Sequence, residues 1–207
     1  MKQISKNALI LFAITLVAGI GLGLVHEITL EPIATAQAEK TKATYQSVFS
    51  DADSFQTPER ADALIAQCNA DAKLAEFGSN VSVQNVSTAL DASGNPIGFI
   101  VDTCAKGYNG NVYMSVGINN DARITGVGFL KINETPGLGM KANTPAFTGQ
   151  FPDMRADGPL AFNKTGPTET EFQALSGATY TSKAVSGCVN AAIYFVNQYL
   201  KGEEGVQ

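Results

Sequence analysis

An uninterrupted apolar run near the N-terminus constrains this chain more than any other feature. Residues 8–25 read ALILFAITLVAGIGLGLV and contain no charged side chain. At 1.5 Å per residue such a helix is about 27 Å long, which is close to the hydrocarbon thickness of a bilayer. The run therefore predicts one transmembrane helix, which we assign to residues 8–28.

The charges that flank this run predict its orientation. Lys2 and Lys6 precede it, whereas Glu27 and Glu31 follow it. The positive-inside rule then places residues 1–7 in the cytoplasm and the remainder of the chain outside the cell membrane. A cleaved signal peptide is the alternative, with the small residues around Ala36 as its cleavage site. Those residues lie well beyond the apolar run, which favours an uncleaved anchor.

Composition excludes several classes of protein. The formal net charge of −5 disfavours nucleic acid as a partner, because phosphate binding needs a basic surface. A single histidine, His26, excludes a histidine-rich metal site and disfavours a Ser-His-Asp hydrolase. Cys68, Cys104 and Cys188 have no C-x-x-C spacing, so they predict core residues, with one disulfide and a spare thiol as the alternative. We predict no metal site and no catalytic residue.

The segment after the anchor is predicted to begin with a stalk and a helix. Residues 29–56 are expected to form the stalk, as a helix or linker that Pro32 kinks or breaks. Thr57-Pro58-Glu59 has the form of an N-cap followed by a proline and an acidic first turn. A helix is therefore predicted from this point to about Phe77.

Alternating apolar residues then predict an antiparallel meander. The expected strands cover residues 81–86, 96–103, 112–118 and 124–132. A short helix at 140–150, an irregular stretch at 152–170 and a helix from Tyr180 to about Leu200 are expected to follow. The predicted fold class is thus α+β, an antiparallel sheet with flanking helices over residues 57–207, preceded by one transmembrane helix.

A short polar motif stands directly before the last predicted helix. It reads Ser176-Gly177-Ala178-Thr179-Tyr180-Thr181-Ser182. The first N–H groups of a helix lack internal partners and the helix dipole is positive there, so the position suits an anion, best a phosphate. Gly177 and Ala178 leave the backbone open to close approach, and Thr181 and Ser182 add hydroxyl donors. From spacing alone, an ordinary helix N-cap stays the alternative.

Two motifs together resemble a known family. Ser176-Gly177-Ala178-Thr179 followed by Thr181-Ser182 resembles the attachment motif of covalent FMN-binding domains. Glu134-Thr135-Pro136-Gly137-Leu138-Gly139 resembles the second signature of that family. Their order, and the single preceding anchor, resemble the G subunits of Rnf-type ion-translocating ferredoxin:NAD oxidoreductase complexes. One departure is Gln173, at a position where the family pattern often has an acidic residue.

The resemblance implies a cofactor and its binding residues. FMN would be joined to Thr179 by a phosphoester bond, made by a separate flavin transferase that uses FAD. The loop from Glu134 to Gly139 would lie against the flavin, with Leu138 in apolar contact and the glycines allowing close approach of the backbone. Tyr108 is a further candidate, as a residue that stacks on the ring, and an ordinary turn tyrosine is the alternative.

The resemblance also implies a function and partners. The chain would relay electrons among other subunits of a membrane complex that transfers them from ferredoxin to NAD, coupled to Na⁺ or H⁺ transport, and would have no independent activity. One alternative is the same role in a sodium-pumping NADH:quinone oxidoreductase or in another extracytoplasmic flavoprotein chain. A second is a structural subunit with a vestigial flavin site. A third, an anchored solute-binding protein, would need a larger, two-lobed domain.

Overall fold

The computed structural model describes residues 2–201, and the chain forms two compact units, residues 1–42 and residues 43–207. The first unit is helix α1 (Lys2–Val48), whose last turns belong to the second unit. From residue 3 to residue 42 the side chains are exposed almost throughout, and this part of the helix contains a long apolar stretch. By length and composition, this helix is able to cross a membrane once.

Of the two predicted effects of Pro32, a kink or a break, the break is wrong. Pro32 lies inside α1, and the helix continues on both sides of it to Val48. Proline removes one backbone hydrogen bond and costs about 3 kcal/mol in a helix interior. The hydrogen bonds of the remaining turns in this 47-residue helix offset that cost.

A five-stranded antiparallel sheet forms the centre of the second unit, with the strands in chain order. The strands are β1 (Ser54–Gln56), β2 (Ser82–Leu90), β3 (Pro96–Lys106), β4 (Asn111–Asn119) and β5 (Ile124–Lys131). The sheet confirms the predicted α+β class and its meander of four strands. The sequence did not indicate β1, because three residues are too few to show an alternating pattern.

Two short helices stand where one was predicted, namely α2 (Ala61–Ala70) and α3 (Lys73–Glu76). The predicted N-cap at Thr57 is wrong, because α2 is preceded by Arg60 and no side chain caps it. Asp71 ends α2 in an extended conformation. Its carboxylate accepts hydrogen bonds from the Lys73 amide at 2.9 Å and from the Tyr194 hydroxyl at 2.5 Å. A partner 123 residues away in sequence thus helps to fix this break, which local propensity does not reveal.

The remaining elements follow the sheet. They are a 3₁₀ helix (Gly139–Asn143), α4 (Pro145–Thr148), β6 (Ala161–Asn163), β7 (Glu171–Gln173) and α5 (Thr179–Phe195), which ends in a π-helical turn (Val196–Leu200). Strands β6 and β7 form a separate parallel pair. Helix α5 confirms the predicted last helix and packs on β3 and β4, where Val185, Val189 and Ala192 are fully buried.

The last turns of α1 form a second, smaller core with the sheet. Tyr45, Val48 and Phe49 are buried there together with Ile100. The backbone comes close, since a Cβ atom on Gly126 would lie 2.9 Å from the carbonyl oxygen of Val48. The packed unit therefore begins at residue 43, earlier than the start at residue 57 that the sequence suggested.

The three cysteines are core residues, as predicted. Cys68, Cys104 and Cys188 are all free and buried. The alternative of one disulfide with a spare thiol is therefore wrong.

Candidate functional site

The two sequence motifs lie together at one end of the sheet. The loop after β3 carries Tyr108, the loop after β5 carries Glu134 to Gly139, and α5 begins at Thr179. Between them lies a cleft of about 310 Å³, lined by Tyr108, Glu134, Thr135, Leu138, Gly139, Gly177, Ala178, Thr179, Tyr180 and Thr181. Pro136 and Gly137 lie in the same loop and are exposed.

Glu134 joins the three segments around this cleft. Its side chain is only 3% exposed. One carboxylate oxygen, Oε1, accepts hydrogen bonds from the backbone N–H of Tyr108 at 2.9 Å and of Asn109 at 3.3 Å. The other, Oε2, accepts one from the Thr181 hydroxyl at 3.0 Å. The carboxylate is thus a structural bridge, and its oxygens are satisfied within the protein.

Two glycines are needed because Glu134 packs so closely. A Cβ atom on Gly139 would lie 2.8 Å from the Cβ of Glu134, and one on Gly107 would collide with its Oε1. The sequence suggested that the loop glycines admit a ligand. At Gly139 the close approach is instead to Glu134 and Thr181 of the same chain.

The start of α5 has no side-chain cap. Ala178 is the N-cap residue and makes no side-chain hydrogen bond, so the alternative of an ordinary polar N-cap is wrong. Ser182 Oγ accepts from the Leu175 amide at 3.0 Å and donates to the Ala178 carbonyl at 3.1 Å. Thr181 and Ser182 are both buried, so their hydroxyls brace the helix start where ligand donors were expected. Ser176, Gly177 and Thr179 are exposed, and among the residues that the structure describes no side-chain hydrogen bond caps the start of α5.

Exposed apolar side chains surround Thr179. Tyr108 is 68% exposed, Tyr180 65% and Leu138 42%. Among the residues described, they are the exposed large hydrophobic side chains outside α1. The rings of Tyr108 and Tyr180 are 6.1 Å apart between centroids and tilted by 46°. Apolar surface grouped in this way is typical of a binding site, and it suits a flat aromatic ligand.

The same tyrosine pair also lines a second cleft. Its volume is about 540 Å³, and Tyr108 and Tyr180 line it together with Lys106, Gly107 and Lys183. Sequence reasoning did not single out Tyr180 or the two lysines. For Lys183 a signal was available, since it follows Thr179 by one helical turn and so lies on the same face of α5.

Gln173, where the sequence departs from the family pattern, and the expected lack of a metal site remain to be compared with the structure. Gln173 lies on β7, is exposed and lines neither cleft, and its backbone amide donates a hydrogen bond to Gln150 Oε1 at 2.7 Å. In the described part of the chain, no group of three or more histidine, cysteine or acidic residues is placed to hold a metal ion.

Two family models match this chain. Residues 107–194 match the family model described as "FMN-binding domain", and residues 1–48 match the model described as "RnfG N-terminal region". The first match contains Tyr108, the Glu134 loop and the whole start of α5. It confirms FMN as the cofactor class of this domain.

Named relatives are similar along nearly the whole chain. The G subunit of the Na⁺-translocating ferredoxin:NAD⁺ oxidoreductase complex of Acetobacterium woodii is 32% identical over 200 residues, which is 93% of this chain and 91% of that protein. The G subunit of the ion-translocating oxidoreductase complex of Methanosarcina acetivorans is 29% identical over 205 residues, 99% of this chain and 98% of that protein.

A solved structure is also similar. The C subunit of the Na⁺-translocating NADH-quinone reductase of Parabacteroides distasonis is 24% identical, with a TM-score of 0.49 over 57% of this chain and 63% of that one. The two motifs, their shared cleft and the full-length similarity to named subunits lead to one assignment. The chain belongs to the family of G subunits of ion-translocating oxidoreductase complexes.

Proposed function

We propose that this chain carries FMN on the Thr179 hydroxyl and relays electrons within a membrane-bound, ion-translocating ferredoxin:NAD oxidoreductase complex. The observation that carries the proposal is the setting of Thr179. Its exposed side chain stands at the uncapped start of α5, in a cleft that also exposes Tyr108, Leu138 and Tyr180. This setting supplies an anion site and an apolar surface side by side.

The attachment is a phosphoryl transfer from FAD, catalysed by a separate flavin transferase. The Thr179 oxygen forms a bond to the phosphorus of the FMN half, the bond to the AMP half breaks, and the threonine proton is released. The phosphodiester that results keeps one negative charge. The free N–H groups and the positive dipole end of α5 stabilise that charge, as they do at other helix N-termini.

FMN supplies the redox chemistry, and this chain's residues bind and orient it. Tyr108 and Tyr180, which line both clefts, provide apolar contact to the ring, and Leu138 provides apolar contact close to Thr179. The carboxylate of Glu134 positions two loops around the cofactor. It connects the loop after β3, through the Tyr108 amide, and its own loop to α5, through the Thr181 hydroxyl. No residue of the chain is assigned a catalytic role in turnover, since electron relay requires only a positioned and tuned flavin.

The role in a complex comes from the relatives. They are named subunits of complexes that couple ferredoxin:NAD⁺ oxidoreduction to Na⁺ or proton translocation. We place this chain in an equivalent complex, with the other subunits as its electron-transfer partners. The glycines at positions 19 and 23 of α1 leave one face open, which suits close packing against a neighbouring membrane helix.

The anchor is proposed to cross the membrane once at residues 8–28. Lys2 and Lys6 on one side and Glu27 and Glu31 on the other favour a cytoplasmic N-terminus and an extracytoplasmic FMN-binding domain. Protease added to intact spheroplasts should degrade the domain. Protection of the domain in intact spheroplasts, together with its digestion after lysis, would contradict this orientation.

The attachment is tested on a denaturing gel. The full-length chain, produced together with the transferase, should give a band with flavin fluorescence, and Thr179→Ala should give none. Thr179→Ser keeps the hydroxyl and should retain fluorescence. Thr57→Ala is the matched control, since Thr57 is exposed and remote in sequence from both motifs, and it should leave the band unchanged. A dark wild-type band would support the alternative of a vestigial site, and fluorescence in Thr179→Ala would move the attachment elsewhere.

A further inference from the structure

The second cleft is lined by two lysines, Lys106 and Lys183. Lys106 ends β3 and Lys183 lies in α5, and both are exposed. Among the residues that the structure describes, neither forms a salt bridge, whereas Lys73 and Arg155 do. Two such cations in one cleft are notable in a chain with a net charge of −5. They favour an anionic group as the occupant.

The same cleft adjoins the attachment residue. Tyr108 and Tyr180 line both clefts, so the two clefts adjoin at this tyrosine pair. Lys183 is one helical turn beyond Thr179, and helical side chains lean toward the N-terminus, that is, toward Thr179. A group tethered at Thr179 is therefore close enough to extend into the cleft that contains the lysines.

The two clefts differ in the chemical groups that line them. The smaller one contains Thr179 and the uncapped start of α5, which suit the phosphate. The larger one, at about 540 Å³, combines aromatic walls with the apolar stems and charged ends of Lys106 and Lys183. It has the size and mixed character of a site for a flat polar ring.

We propose that the flavin ring occupies the cleft lined by Lys106 and Lys183, and that these two lysines raise its reduction potential. This inference rests on the proposed attachment of FMN at Thr179. Addition of two electrons and one proton to the oxidised ring gives a reduced ring with one negative charge. Cations beside the ring stabilise that charged form, and charge near the ring is one of the means by which a protein tunes a flavin.

The size of the effect follows from Coulomb's law. One unit charge in a partly exposed cleft shifts an equilibrium by on the order of tenfold. For a two-electron couple, a tenfold change corresponds to about 30 mV. Loss of either lysine is therefore expected to lower the midpoint potential by about 30 mV.

The test uses the flavinylated full-length chain, titrated potentiometrically in detergent while the flavin absorbance is recorded. The variants are Lys106→Gln, Lys183→Gln and Lys183→Arg, with Lys164→Gln as the matched loss of an exposed lysine that lines neither cleft. We expect lower potentials for the two glutamine variants in the cleft and wild-type values for Lys183→Arg and Lys164→Gln. Lys106 lies outside the attachment motif, so the midpoint potential of Lys106→Gln tests the inference even if Lys183→Gln hinders flavinylation.

Three results would overturn the inference. Unchanged potentials in both cleft variants would show that the ring lies elsewhere. An equal shift in Lys164→Gln would show only a general effect of net charge. A change in flavin content without a change in potential would assign the lysines to the phosphate, whose charge is the same in both redox states. A wild-type chain without covalent flavin refutes the proposed function itself, and is recognised on the gel before any titration.

Discussion

Replacing Glu134 tests whether one buried carboxylate holds the site together. In Glu134→Ala the N–H groups of Tyr108 and Asn109 and the Thr181 hydroxyl lose their acceptor. Hydrogen bonds to a charged group contribute roughly 1.5–3 kcal/mol each, and water entering the vacated space recovers part of the loss. We expect the free energy of unfolding of the second unit to fall by about 4 kcal/mol, within the range for a lost buried hydrogen-bond network.

Glu134→Gln is the matched control for this change. The amide oxygen still accepts from the two backbone N–H groups, and the Thr181 hydroxyl rotates to accept from the amide nitrogen. Only the assistance of the charge is lost, so we expect a cost of about 1 kcal/mol.

Urea unfolding of the full chain in detergent, followed by near-ultraviolet circular dichroism of the tyrosines, measures both variants. With an m value of about 2 kcal/mol/M, the alanine variant should lower the midpoint by about 2 M and the glutamine variant by about 0.5 M. Equal costs for the two variants, or an alanine variant as stable as the wild type, would refute the bridging role of Glu134.

Three further predictions concern other parts of the fold. In Gly139→Ala the added methyl group meets Glu134 and Thr181, so the free energy of unfolding in urea should fall by about 3 kcal/mol. In Gly137→Ala the methyl group has open space and only the φ of +76° is strained, so a fall of about 1 kcal/mol is expected. The reverse order would contradict the packing. Burial raises the pKa of Asp102, so the folded state binds a proton more tightly than the unfolded state, and stability should fall as the pH rises from about 3.9 through the raised pKa. Asp102→Asn should remove that slope, which stability curves of both proteins measured upward from about pH 4 will check. Burial raises the pKa of the Cys68 and Cys188 thiols to about 12. Iodoacetamide at neutral pH should therefore label them only after urea is added. Rapid labelling of the native protein would contradict their burial.

The sequence predicted those elements whose pattern is local. Strands β2 to β5 lie in short apolar runs bounded by turn residues, and α5 has apolar residues at helical spacing, so both were found. The elements that it missed depend on distant partners. Strand β1 exists because Ser54 to Gln56 pair with β2, and the division of the predicted helix at Asp71 involves Tyr194.

The candidate site, like the fold, was predictable where its residues form a local motif. The two motifs marked Thr179 and the Glu134 loop, because their residue types and order are specific. The roles of single residues were not predictable, since they depend on which way each side chain turns. Glu134, Thr181 and Ser182 turn inward and brace the site, whereas Tyr180 turns outward beside Tyr108. Lys106 reaches the site from the end of a strand, with no motif to mark it.

The most direct measurement of the central claim is tandem mass spectrometry of the tryptic peptide that ends at Lys183. This peptide contains both Thr179 and Thr181, together with Ser176 and Ser182 as competing hydroxyls. Fragment ions should place the mass of FMN, less one water, on Thr179. An unmodified peptide from cells that contain the transferase, or a flavin located on one of the competing residues, would contradict attachment at Thr179.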